Sequence, residues 1–149
     1  MEYFFIILGV SLCITLVLVG TAKRVDNVVS YKPIEVATIY KFFDEYNDYR
    51  VGLGYDKVVC EKLLTEMAMG QVDYLFKNTP TNLHIGYGDR QLKANAIEFG
   101  EVAEYNFHNA LQAYLNSPKH KKILDNRNFN YIGIGEKGGY QCVILAKYD

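Results

Sequence analysis

Apolar and polar positions alternate with different periods along this chain, and each change of period marks an element. Residues 3–19 (YFFIILGVSLCITLVLV) are almost continuously apolar, a run about long enough to cross a bilayer as a helix, and Gly20, Thr21 and Ala22 follow it before Lys23 and Arg24. Pro33 then opens a helical spacing of Val36, Ile39, Tyr40, Phe43 and Asn47, which predicts a helix ending near Tyr49 at the Gly52-Leu53-Gly54 break. Asp56 stands as the N-cap of a second helix with Val59, Cys60, Leu63 and Met67 on one face, running to about Phe76. Residues 77–88 are turn-rich, residues 89–95 predict a short helix, and residues 96–105 alternate as a strand does. Asn106 is placed to cap a helix carrying Ala110, Leu111, Tyr114 and Leu115, and Ser117-Pro118 restarts a helical turn with serine as N-cap and proline at the first position. Residues 131–137 and 140–148 are β-rich and flank Gly138-Gly139, the strongest hairpin signal in the sequence, because both glycines tolerate positive φ.

Mixed helices and strands in this order must bury their faces against one another, which predicts a layered α/β structure closed by a C-terminal β-hairpin and preceded by an N-terminal hydrophobic helix. The organisation is residues 1–24 as a signal peptide or transmembrane anchor, 25–33 as a connector and 34–149 as one domain. The first segment has two readings. Gly20 and Ala22 offer the small residues a signal peptidase requires, whereas the length of the run suits a retained anchor. By the positive-inside rule, Lys23 and Arg24 would hold that end of it in the cytoplasm.

Composition narrows the function classes. With 50% apolar and 22% charged residues the chain is globular, and a net charge of -1 with no tryptophan gives it no overall attraction for a phosphate backbone, so nucleic acid is not an expected partner. The local cluster Lys119, His120, Lys121 and Lys122 reads first as a solvated helix face. Of the three cysteines, Cys13 lies in the apolar run; Cys60 and Cys142 read first as two buried free thiols, since a domain of this size can bury enough surface without a staple, with a disulfide between them as the alternative.

Three polar residues fall where the layers end: His84 in a glycine-flanked loop, Glu101 after Gly100 in the strand, and His120 in a first helical turn, where the helix dipole favours neutral imidazole. Two imidazoles, one carboxylate and an open fourth position form the ligand set of an exchangeable zinc site, although their spacing matches no short local metal signature. Taken singly, each histidine reads as a surface or hydrogen-bonded structural residue and Glu101 as a buried carboxylate.

The segments carry a resemblance. FGEVAEY (residues 99–105) resembles the G-E-N-[ILV] motif of the CAP superfamily, the cysteine-rich secretory proteins, antigen 5 and pathogenesis-related proteins. YLNSPKHKKIL followed by YIGIGEKGGY resembles the W-x-x-S-P-x-H-x-x-I-L and I-G-[VI]-G pattern of the bacterial branch, and FFDEYNDYR (residues 42–50) resembles the opening helix with its N-x-x-R ending. The resemblance implies an α/β fold built as a three-layer α-β-α sandwich, and a cleft lined by histidine and glutamate, with His84, Glu101 and His120 matching three of four positions. The fourth, a glutamate, falls near Asn116 or Ser117 and is missing, while Val102 replaces the motif asparagine and Tyr114 its tryptophan. It further implies export or membrane tethering through the N-terminal segment and a non-enzymatic binding module for a small molecule, lipid or cell-surface component. Its cleft would take a divalent metal such as zinc weakly. A metal-dependent hydrolase and a purely structural or interaction domain are the alternatives. No nucleophile and base pair is recognisable, because Ser117 is expected to be used as a cap.

Overall fold

The computed structural model describes residues 33–149 apart from Phe107, with side chains from Ala37 onward. The apolar run at residues 3–19, the 1–24 targeting or anchoring segment and Cys13 lie outside the described residues. Among those residues, no helix is long and apolar enough to cross a membrane.

Among the described residues the elements follow in the order α1 (Pro33–Gly52), β1 (Val59–Cys60), α2 (Lys62–Asn78), α3 (Tyr87–Ala94), β2 (Glu98–Tyr105), α4 (Ala110–Asn116), α5 (Pro118–Leu124), β3 (Tyr131–Lys137) and β4 (Tyr140–Lys147). The four strands form one sheet in the order β1-β3-β4-β2, with β1 parallel to β3 and the remaining pairs antiparallel. β4 is buried along its length from Tyr140 to Ala146, and the two-residue period of a strand divides it between two cores. Tyr140, Cys142, Ile144 and Ala146 pack with Leu64, Met67, Ala68, Val72 and Leu75 of α2. Val143 and Leu145 pack on the opposite side with Phe42, Phe43 and Tyr46 of α1, Ala110 and Tyr114 of α4, and Leu124 of α5. The result is the expected α-β-α sandwich.

Two glycines let the layers close. A Cβ at Gly133 would lie 2.1 Å from the backbone carbon of Leu64, and one at Gly135 would lie 2.5 Å from that of Ala68. α2 therefore rests directly on the backbone of β3, one helical turn per strand repeat of two. The hairpin turn also follows its sequence, with φ of 56° at Gly138 and 85° at Gly139.

The N-x-x-R ending of α1 is structural. Asn47 bonds both backbone groups of Val58, donating to its carbonyl at 3.2 Å and accepting from its N–H at 2.9 Å, which sets the chain on course into β1. Arg50 is fully buried and donates to the carbonyls of Asp56, Asn126, Arg127 and Phe129 and to the Tyr46 hydroxyl. A single guanidinium thus gathers the loop after α1 and the loop before β3.

Several boundaries differ from the sequence reading. α1 continues to Gly52, beyond Tyr49. Asp56 does not cap α2; the N-cap is Glu61, whose carboxylate accepts from Leu64 N at 2.7 Å. Val59 and Cys60, read as helical, are drawn into β1 because Val59 N and Glu61 N find the carbonyls of Asn130 and Ile132. Asn106 ends β2 with φ of 58° and donates its N–H to Gly139 O, while Asn109 caps α4 by accepting from Gln112 N. Ser117 and Pro118 do occupy the N-cap and first position of α5, but the serine hydroxyl makes no cap hydrogen bond.

Cys142 is a buried free thiol, whereas Cys60 is partly exposed, against the expectation that both are buried. Cys60 pairs with Ile132, which pairs with Leu145, so Cys142 lies two strands across and three residues along, roughly 14 Å away on strand spacings. That separation forbids a disulfide.

Candidate functional site

β2 is an outer strand of the sheet, and the site forms along it. Glu101 stands opposite Ile144 in the register, on the α2 side, with its side chain fully buried. A carboxylate in that position requires compensation, and Arg90 of α3 provides it. Arg90 Nε donates to Oε2 at 2.6 Å and Nη2 to Oε1 at 2.8 Å, a bidentate pair. His84 Nδ1 lies 3.0 Å from the same Oε1. The remaining guanidinium nitrogen of Arg90 donates to Gln71 Oε1 of α2 at 2.6 Å and to Ile85 O at 2.8 Å, and Gln71 Nε2 donates to Leu83 O at 2.7 Å. The loop carrying His84 is thereby fastened to α2 and α3, and the His84 N–H closes a local turn by donating to Asn82 Oδ1. Arg90, Gln71, Ile85 and Gly86 also line a cavity of about 420 Å³ between α2 and α3.

Burial alone pushes the Glu101 carboxyl up, but hydrogen bonds from His84 and Arg90 and the charge of Arg90 outweigh it and hold the group below the usual carboxylate range. With Glu101 ionised, the hydrogen on the shared contact belongs to His84 Nδ1.

His120 arrives from α5. Its ring lies 6.0 Å from that of His84, centroid to centroid, and 5.4 Å from Tyr114, edge-on in both cases. His84 thus lies between Glu101, which it hydrogen-bonds, and His120, whose ring it meets edge-on. His120 Nδ1 is buried with no hydrogen-bond partner. Burial depresses the pKa of this imidazole below its ordinary 6.5, the neighbouring His84 lowers it further and Glu104 acts in the opposite direction. Burial, more than the helix start, keeps the ring neutral. Its contribution to stability has a defined sign: the unfolded chain takes up a proton near pH 6.5 and the folded chain resists it, so stability falls as pH drops below 6.5. The melting temperature of wild type is expected to decline between about pH 7.5 and pH 5.5 more steeply than that of His120→Gln. Parallel curves would refute the assignment.

The zinc ligand set read from the sequence does not fit the cleft as it stands. Both oxygens of Glu101 are taken by Arg90 and His84, and among the described residues no group of three His, Cys, Asp or Glu is arranged to hold a metal ion. Where the family pattern has its second glutamate, the exposed Asn116 is bonded to Gln112. Of the basic cluster, Lys121 is paired with Asp125 and reaches the Tyr49 hydroxyl at 3.3 Å, as a solvated helix face does. Val102 and Tyr114, the two departures from the motif, are both fully buried in one core cluster, and the tyrosine hydroxyl donates to Gln141 O at 3.3 Å. The loss of the motif asparagine is thus absorbed by packing. Sequence reasoning missed Arg90 and Gln71; the signal available was that a carboxylate in mid-strand needs a cation, and Arg90 lies on the short amphipathic helix between His84 and Glu101.

Comparison with known proteins agrees with this architecture. The family model described as the cysteine-rich secretory protein family, CAP, matches residues 43–143. Among solved structures, an extracellular protein containing an SCP domain from Bacillus anthracis superposes with a TM-score of 0.71 at 22% identity, over 84% of this chain and 45% of that one. An outer surface protein from Borrelia burgdorferi gives 0.69 at 20% identity, over 76% and 94%. A cysteine-rich secretory protein from Staphylococcus aureus gives 0.66 at 14% identity, over 80% and 41%. The chain thus spans less than half the length of two of these three proteins. No curated protein sequence matches it. Sandwich topology, the Glu101 strand, the His120 helix and the matched family model converge on one assignment: the chain belongs to the cysteine-rich secretory protein family, the CAP family.

Proposed function

We propose that this chain is an extracytoplasmic, non-enzymatic binding module whose cleft recognises its ligand through His84 and His120. The observation that carries this reading is the buried, unpartnered Nδ1 of His120 beside a second imidazole. An orphaned buried polar atom costs free energy, and a bound group that hydrogen-bonds it removes that cost. A purely structural cleft has no such use for it. Hydrolysis is disfavoured by the same geometry: Glu101 is held ionised with a lowered pKa and both oxygens engaged, which makes it a poor general base.

The extracytoplasmic setting is supported by the apolar run at residues 3–19 and by neighbours described as extracellular and outer-surface proteins. The ligand class that suits the site is a small molecule, lipid or cell-surface component bearing a hydrogen-bonding group. The reading is tested by incubating the chain with peptide and ester substrates, with and without Zn²⁺. No turnover above background is expected. Hydrolysis that disappears in Glu101→Gln would make the chain a hydrolase instead.

A further inference from the structure

We infer that the hairpin end of the sheet, where Phe76 and Tyr105 flank Gly138-Gly139, is a membrane-contacting face that rests on the bilayer interface while the apolar run at residues 3–19 tethers the chain there. The inference goes beyond the binding-module reading and does not depend on it, since a bilayer offers such an interface on either side.

The first observation is a pair of rings that the core leaves half exposed. Phe76 of α2 is 49% exposed and Tyr105 of β2 is 51% exposed. Neither is loosely placed. A Cβ at Gly138 would lie 2.2 Å from the Phe76 ring and one at Gly139 would lie 3.3 Å from the Tyr105 ring, so each ring is seated on the bare backbone of the turn. Tyr105 is backed by Tyr140, with ring centroids 4.4 Å apart. Lys137, paired with Asp73, holds its ammonium 5.6 Å from the centre of the Phe76 ring. Aromatic rings with an ammonium beside them suit a membrane surface, where tyrosine keeps its hydroxyl wet and lysine reaches the headgroups. Glu104 and Glu136 in the adjoining strands keep this end from being a basic patch, so the contact calls for no anionic lipid.

The second observation is where the chain enters the domain. Followed backwards, α1 runs from the loop before β3 toward the hairpin. Arg50 bonds Phe129 O, Tyr46 bonds Leu124 O, and Phe42 meets the ring of Tyr114, whose hydroxyl bonds Gln141 O just past the turn. Beyond Phe42 the helix continues to Pro33, about 13 Å further. Only residues 20–32 separate Pro33 from the apolar run, at most about 45 Å of chain even fully extended. An apolar run inserted in a bilayer therefore draws the domain in by its hairpin end. Two rings are too little apolar area to hold a protein on a membrane by themselves. On a tether the contact becomes intramolecular, and a weak one suffices. Val51, Leu53 and Val59 are comparably exposed, but they are aliphatic and lie at the opposite end, around the C-terminus of α1 and β1.

The chain contains no tryptophan, so a single introduced one reports its own surroundings. The full chain is reconstituted with phosphatidylcholine vesicles that carry a lipid spin-labelled near the glycerol backbone, as Phe76→Trp, as Tyr105→Trp and, for the opposite end, as Leu53→Trp. The first two are expected to be quenched at least about twice as strongly as the third, because interfacial side chains sit about 5 to 10 Å into the headgroup boundary. Should one of the two not fold, the other decides. Failure of both to fold counts against the inference, since rings that tolerate no other aromatic residue belong to the core. Equal quenching at all three positions, or the strongest at Leu53→Trp, overturns it. A chain that does not cosediment with the vesicles overturns it as well, by removing the tether, and leaves the reading of the His84 and His120 cleft to its own assay.

Discussion

Replacing Arg50 with methionine is expected to lower stability by about 3 to 5 kcal/mol, the largest loss from any single side chain in the domain, because a buried network loses its central donor. Methionine fills the volume but leaves the carbonyls of Asp56, Asn126, Arg127 and Phe129 without the guanidinium that now bonds them. None of the five partners of Arg50 is a carboxylate, so the substitution releases no unpaired charge, and the whole effect falls on backbone oxygens and the Tyr46 hydroxyl. Against the roughly 5 to 15 kcal/mol typical of a domain, such a loss is a large fraction of the total. Chemical denaturation of wild type, Arg50→Met and Arg50→Lys measures it, with lysine intermediate because it keeps the charge without the fork. A methionine variant within about 1 kcal/mol of wild type would show that water replaces the guanidinium at little cost.

Gly133→Ala should come next, at about 3 kcal/mol. The new methyl group would be placed 2.1 Å from Leu64 C and 2.3 Å from Thr65 N, and neither belongs to a side chain that can swing aside. The helix itself must move off the sheet, and Leu64, Ala68 and their partners in β4 lose their fit together. Gly70→Ala serves as the internal control. It lies in α2 itself, where an added methyl group would meet nothing within 4 Å, and removing backbone freedom there should stabilise by about 0.5 to 1 kcal/mol. If the two alanines shift the denaturation midpoint equally, close approach is not what selects glycine at position 133.

These two positions also show how far the sequence could be read. The periods of α1, α2 and the closing hairpin were visible because their apolar residues repeat locally, and Gly138-Gly139 announced its turn by composition alone. Gly133 and Gly135 read as part of a glycine-bearing strand; that they mark the seat of α2 depends on a helix about 70 residues away along the chain. β1 was invisible for the same reason: two residues long, it exists because Asn130 and Ile132 present carbonyls to it. At the cleft, the identities of His84, Glu101 and His120 came from local motifs, while the contacts of His84 with the other two are made only by the fold. What each can do was set by Arg90 and Gln71, whose side chains belong to no motif and acquire a role only once α2, α3 and β2 are packed. Charge balance around a buried acid is a tertiary property, and no window of sequence contains it.

The two thiols stand roughly 14 Å apart on separate strands, in a family named for its cysteines. These two cysteines therefore add no bridge across the sheet, and its layers are held by interlocking shape and hydrogen bonds. The seating of α2 on β3 and of α1 on the far face therefore needs no bond between these two strands, in a reducing medium as in an oxidising one.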